Sequence, residues 1–155
     1  MRRFSLTLAL VLSCLAGSLP AAETIIPVQE KSGATLYVAG TIRGYGATEF
    51  LIDTGASYVA INEELLQDLE RKGHARFLRR LTGTMADGRR RPIPIYAISG
   101  IVIGDDCVLN NVEAAVPPGN TRNILGLSAL RRAAPFTLTM EPLAISLGGC
   151  EKPSV

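Results

Sequence analysis

The chain has no tryptophan and one histidine, His74, in 155 residues. A lone histidine leaves zinc centres and histidine-dependent catalytic triads short of parts. Aromatic residues make up only 5% of the chain, so no stacking platform for nucleic-acid bases is evident. Charge of one sign is also lacking. Two of the 16 basic residues, Arg2 and Arg3, fall in the first segment, leaving 14 against 14 acidic residues. A balanced chain has no bulk field for nucleic acid, and no nucleic-acid partner is expected. There is no low-complexity tract, internal repeat or long linker. The remaining length supports one core and is too short for two.

The one long apolar run lies at the start, in "MRRFSLTLALVLSCLAGSLPAA". Arg2 and Arg3 precede an apolar stretch from Phe4 to Leu15, which is short for a bilayer span, and small residues follow. Residues 1–22 therefore read as a secretory signal peptide, with cleavage after Ser18, Ala21 or Ala22. A second reading takes Val11 to Cys14 as a lipoprotein signal with Cys14 lipidated, and a third leaves the segment as an uncleaved anchor. Only those last two readings bring a membrane into contact with the chain. The expected location is exported, periplasmic or secreted. Residues 23–155 form the expected single domain.

Export bears on the cysteines. Removing the leader leaves Cys107 and Cys150, an even pair in an oxidising compartment. They are either a disulfide tying the C-terminal tail to an inner strand or two separate thiols. Two cysteines alone make no metal site.

Most of the mature chain reads as short strands with close turns. "ATLYVAGTIRGYGATEFLID" gives two strands about a glycine-bounded turn at residues 44–46. "SYVAI" reads as another strand. "NEELLQDLERKG" reads as a helix, with Asn62 as N-cap, Glu63 and Glu64 in its first turn and Leu65, Leu66 and Leu69 on one face. Lys72 and Gly73 close it. Asp87-Gly88 signals a hairpin, and Pro92 and Pro94 make the strand after it edge-like or irregular. A turn at Gly104-Asp105 precedes "CVLNNVEAAV". After "PPGN", "NILGLSALRR" enters a short helix, and "FTLTM" and "LAISL" finish as strands. The expected class is mainly β: a small closed barrel or sandwich with one or two short helices.

One residue conflicts with that pattern. In "FLIDTGASYVAI", Asp53 sits in an apolar run that reads as a buried strand, and Thr54 and Gly55 end the strand abruptly. Burying a carboxylate costs several kcal/mol unless it is paired or protonated. An Asp-Thr-Gly tripeptide can be a simple turn. Its setting points further, because "DTGAS" is followed about 70 residues later by "ILG", Ile124 to Gly126, leading into a helix.

The order "LIDTGAS", "MADG" and "NILGLSAL" resembles the single-lobe, retropepsin-like aspartic peptidases, a group that includes exported bacterial members. The resemblance runs from about Thr35 to Leu147. It implies a retropepsin-like lobe with Asp53 catalytic. Thr54, Gly55, Ala56, Ser57, Ile124, Leu125 and Gly126 would support the catalytic loop. Met85, Ala86, Asp87 and Gly88 would form a flap over a polypeptide substrate. It implies no metal and no organic cofactor. Ala56 stands where two-lobed members have serine, as it does in retroviral enzymes.

Hydrolysis by this route needs two carboxylates facing one water, and the chain has one Asp-Thr-Gly and no Asp-Ser-Gly. The second carboxylate would come from the Asp53 of an identical partner, so the resemblance implies a homodimer. Two readings of another class stand beside it. One is a non-catalytic domain that keeps the fold for peptide binding or assembly; the other is an envelope structural module.

The basic residues Arg71, Lys72, Arg76, Arg79, Arg80, Arg89, Arg90 and Arg91 crowd a region that holds one acid, Asp87. Arg89, Arg90 and Arg91 either attract acidic substrate segments or form a solvated face. His74, at the end of the helix, reads as structural. Asp105 and Asp106 lack an EF-hand ligand pattern. Tyr37, Tyr45, Tyr58 and Tyr96 read as sheet-packing residues that could also line a pocket.

Overall fold

A computed structural model describes residues 23–85 and 87–151. The leader, with Cys14 and the cleavage positions, and Ala86 of the flap lie outside the described residues. The elements, in chain order, are β1 (Thr24–Lys31), β2 (Thr35–Ile42), β3 (Gly46–Ile52), β4 (Val59–Ala60), α1 (Glu63–Arg71) and β5 (Ala75–Thr84). They continue with β6 (Arg90–Ile103), β7 (Cys107–Ala115), β8 (Ile124–Leu125), α2 (Leu127–Arg132), β9 (Phe136–Met140) and β10 (Leu143–Leu147).

The strands hydrogen-bond in the order β5-β6-β7-β4-β8-β3-β2-β1-β10-β9, and β6 also pairs with β2. That extra pairing closes β2, β3, β8, β4, β7 and β6 into a ring. The closed β-lobe expected from the sequence is the observed architecture. Closure requires close backbone approach where β2 crosses β6. A Cβ on Gly40 would lie 2.4 Å from the Val102 carbonyl oxygen and 3.1 Å from the Phe50 ring. Inside the ring Val38, Ile42, Phe50, Ile61, Ile98, Ile101, Ile103, Leu109 and Leu125 are buried, as apolar-in, polar-out alternation dictates.

The β2–β3 hairpin forms with Tyr45 in its turn, where its N–H bonds to the Ile42 carbonyl at 3.0 Å. Helix α1 starts where the sequence signals it. Asn62 Oδ1 accepts from the Leu65 N–H at 2.8 Å, and Leu65, Leu66 and Leu69 face the core. At the other end Gly73 takes φ +74°, a left-handed conformation that glycine adopts without Cβ strain.

Three segments differ from the sequence reading. β1, "TIIPVQEK", was not expected; it lies between β10 and β2 and buries Ile26 and Val28. Strand β5 begins six residues before "LTGT", at Ala75, so the flap hairpin is longer than its turn signal implies. "SYVAI" contributes only Val59–Ala60 as strand, pinched between β7 and β8.

A disulfide joins Cys107 of β7 to Cys150, with Cα atoms 4.7 Å apart. Beside it Glu151 and Val108 exchange backbone hydrogen bonds at 3.2 Å, so the tail is laid against β7. Among the described residues no helix is long and apolar enough to cross a membrane.

Candidate active site

Asp53 follows the last residue of β3, at the point where the β3–β8 ladder stops. Leu51 pairs with Ile124 and Ile52 with Leu125 in parallel register. The Asp53 N–H adds one further bond, 3.2 Å to the Leu125 carbonyl. The chain then folds back sharply: Ala56 N–H bonds to the Asp53 carbonyl at 3.2 Å, and Gly55 N–H donates to Asp53 Oδ1 at 2.8 Å. The carboxylate thus has one oxygen held by the turn that follows it, which sets its direction.

The sequence predicts a buried carboxylate, and here the structure corrects it. Asp53 is half-buried, Thr54, Gly55 and Ser57 are exposed, and no polar residue is fully buried among the described residues. The physical reason is that β3 runs out of neighbours at Ile52. The pairing with β2 ends at Tyr37–Leu51 and that with β8 at Ile52–Leu125, so Asp53 stands beyond both ladders, at the lobe's margin.

The segment at residues 124–128 braces the turn from behind. Leu127 N–H donates to the Ala56 carbonyl at 2.8 Å and Ser128 N–H to the Ser57 carbonyl at 3.0 Å. Ser128 Oγ returns a contact by accepting the Val59 N–H at 3.2 Å. These bonds need the two backbones almost in van der Waals contact. At Gly126 a Cβ would fall 2.1 Å from the Tyr58 oxygen and 2.8 Å from the Ala56 oxygen. Ile124, Leu125 and Gly126 therefore sit beside residues 53–58. Ser128 escaped the sequence reading, although its place two residues after Gly126, in a short helix, was visible.

Strands β5 and β6 form the long hairpin that carries Met85, Asp87 and Gly88 at its tip. Met85 N–H bonds to the Arg89 carbonyl, and Gly88 N–H to the Met85 carbonyl, both at 2.8 Å. Asp87 Oδ1 accepts the Arg89 N–H at 2.9 Å, and Gly88 takes φ +79°. Pro92 and Pro94 face Thr82 and Arg80 of β5, while β6 pairs with β7 only from Ile95 onward. The prolines thus lie before the β6–β7 ladder begins, where no N–H is required of them, and Pro94 contributes only its carbonyl, to the Val116 N–H at 3.0 Å.

The base of the hairpin is clasped to the body by a network the sequence reading missed. Arg79 of β5 forms a two-pronged pair with Glu113 of β7, at 2.9 and 2.6 Å. The same guanidinium reaches the Tyr58 hydroxyl at 3.5 Å, five residues beyond Asp53. Hydrogen bonding to Arg79, helped by its charge and opposed by desolvation, holds the Glu113 carboxyl below the usual glutamate range. The same pairing pushes the guanidinium further toward its charged form.

His74 stands apart from this face. Its ring Nδ1 lies 2.9 Å from Ser99 Oγ and its N–H bonds to the Leu69 carbonyl at 2.8 Å, so it anchors the end of α1 to β6. It borders a polar cleft of about 760 Å³ with Arg43, Ser99, Asn110, Arg132 and Glu151. Asp105 and Asp106 lie in an exposed turn. No group of three or more metal-ligating side chains gathers among the described residues. Of the four tyrosines, Tyr96 packs edge-on against Phe77, and Tyr37 receives a hydrogen bond from Arg122 at 3.2 Å.

A closed β-lobe with an Asp-Thr-Gly turn braced by a hydrophobic-hydrophobic-Gly segment, and with a long β5–β6 hairpin, is the architecture of a retropepsin-like aspartic protease lobe. The sequence model of the family described as "gag-polyprotein putative aspartyl protease" matches residues 38–132, and the chain belongs to that family. Among solved structures the chain is similar to a retropepsin-like aspartic protease from Rickettsia conorii. The TM-score is 0.55 at 21% identity, over 82% of this chain and 91% of the other. At that identity the likeness concerns the fold. No curated protein matches the chain.

Proposed function

We propose that the protein is an aspartic endopeptidase, active as a homodimer, in which Asp53 of each copy faces one water. The observation that carries this reading is the placement of Asp53. It is a lone Asp-Thr-Gly carboxylate, aimed by the Gly55 N–H at 2.8 Å and left half-exposed on an uncovered margin of the lobe. One lobe supplies half of a two-carboxylate site, and a two-fold axis through that margin supplies the rest.

In the assembled pair, two close carboxylates share one proton because both cannot ionise cheaply. The ionised one takes a proton from the water, whose oxygen attacks the peptide carbonyl, while the protonated one donates its proton to the carbonyl oxygen. In the resulting tetrahedral intermediate the carbon–nitrogen bond breaks as a proton passes to the departing amine. The β5–β6 hairpin covers the extended substrate. Thr54, exposed at the turn, offers its hydroxyl to the partner's loop. Export is part of the same proposal, supported by the basic-then-apolar leader and by the Cys107–Cys150 disulfide.

The test is incubation of the wild type and Asp53→Asn with unfolded protein substrates across pH, with the oligomeric state followed by sedimentation. Loss of hydrolysis in a variant that stays folded is expected, together with activity that follows the dimer fraction. Undiminished cleavage by Asp53→Asn, or full activity in a strictly monomeric sample, refutes the assignment.

A further inference from the structure

The two faces of the flap hairpin differ in what their arginines can do. Along β6, residues 91, 93 and 95 alternate onto one face. Ile95, 1% exposed, lies on that face, and Ile98, also 1% exposed, lies on the other. Ile93 covers Gly83 closely enough that a Cβ there would meet its Cδ1 at 2.3 Å. Arg79, opposite Ile95, lies on the same face and is taken up by Glu113. Arg91, opposite Gly83, shares the face and lines a cleft of about 480 Å³ with Met85, Asp87, Pro118 and Gly119. Arg80 and Arg90 alternate onto the opposite face and, like Arg91, are exposed.

Only some of these charges are already matched. Arg89 faces Asp87, with Nε 3.4 Å from Oδ2, and its N–H is held by the same side chain. Arg91 forms no ion pair among the described residues. The Met85 side and the Pro118-Gly119 loop give the cleft an apolar lining; of its two charged residues Asp87 is paired with Arg89, and Arg91 has no ion-pair partner among the described residues. A carboxylate entering there meets a guanidinium whose fork suits it, next to a low-dielectric wall.

We propose that Arg91 is a specificity-determining residue, which selects polypeptides carrying an acidic side chain that seats between the flap tip and the 117–120 loop. The proposal rests on the reading of this cleft as a peptide site, and it is separable from catalysis. Two functions of the arginine cluster divide accordingly: Arg79 holds the hairpin, and Arg91 reads the substrate.

The experiment uses the full chain with Asp53→Asn, so that binding is measured without turnover. Labelled peptides in matched pairs, Glu against Gln at each successive position, are titrated at low and high salt. At one position the acidic peptide binds about three- to ten-fold tighter at low salt, a margin that shrinks as salt rises. Arg91→Gln removes that preference and leaves the neutral peptide's affinity in place, whereas Arg80→Gln, on the opposite face, keeps the preference. Equal binding of both peptides, a preference that survives Arg91→Gln, a preference lost equally in Arg80→Gln, or no peptide binding at all overturns the proposal. If the preference is found and wild type never cleaves the bound peptides, Arg91's role stands and the endopeptidase reading falls.

Discussion

Replacing Gly126 by alanine adds one methyl group at the tightest point behind the Asp53 turn. The backbone at 126 is extended, with φ −89° and ψ 179°, so alanine costs nothing in conformation. The whole effect is steric. The added carbon would stand 2.1 Å from the Tyr58 oxygen, 2.7 Å from the Tyr58 carbonyl carbon and 2.8 Å from the Ala56 oxygen. All three are backbone atoms of the turn, so no side chain can rotate away. Overpacking of this kind costs about 1–3 kcal/mol. Relief requires moving the turn off its brace, which strains the Leu127–Ala56 and Ser128–Ser57 hydrogen bonds, each worth about 0.5–1.5 kcal/mol. The expected loss is about 2–6 kcal/mol. Equilibrium unfolding in urea measures it directly as a lower midpoint. The folded remainder should hydrolyse peptide far more slowly, because Asp53 hangs on the displaced turn. An unfolding free energy within about 0.5 kcal/mol of wild type would show that the two segments are not held as described.

Further expectations concern the staple and the clasp. The Cys107–Cys150 disulfide spans 43 residues, so its removal in Cys107→Ala/Cys150→Ala is expected to cost about 4 kcal/mol, by loop-closure entropy. Matching urea transitions for the variant and the wild type would contradict that. The Glu113 carboxyl has its folded pKa below the unfolded value, so the clasp contributes fully above the ordinary glutamate range near 4.5. That contribution is lost as pH falls through the lowered folded value. Arg79→Gln should return the Glu113 titration, followed by carboxyl NMR, toward ordinary glutamate and free the base of the hairpin; identical titrations in both proteins would remove the clasp.

Much of the site was legible because its parts are local. The Asp-Thr-Gly turn, the Asn62 cap and the Asp87-Gly88 tip each depend on residues within a few positions, and the structure shows each as a turn or cap. β1 went unread for the opposite reason. Its Ile26 and Val28 alternate inward, yet Pro27 interrupts the run and its partner β10 lies over a hundred residues away. The Arg79–Glu113–Tyr58 network joins three strands' worth of separation, 34 residues in one arm and 21 in the other. No spacing rule announces such a contact.

The faces of the flap show the division most clearly. A run of arginines at 89–91 says only that the hairpin tip is basic. Which of them borders the cleft depends on the pairing of Arg91 with Gly83 and on the register shift between Phe77 and Arg79. Likewise the amino-acid order alone determined that one aspartate sits at a strand's end and that the chain has a single Asp-Thr-Gly. Only the folded lobe decided that this aspartate lies on an uncovered margin, because exposure depends on which distant strands come to lie beside it.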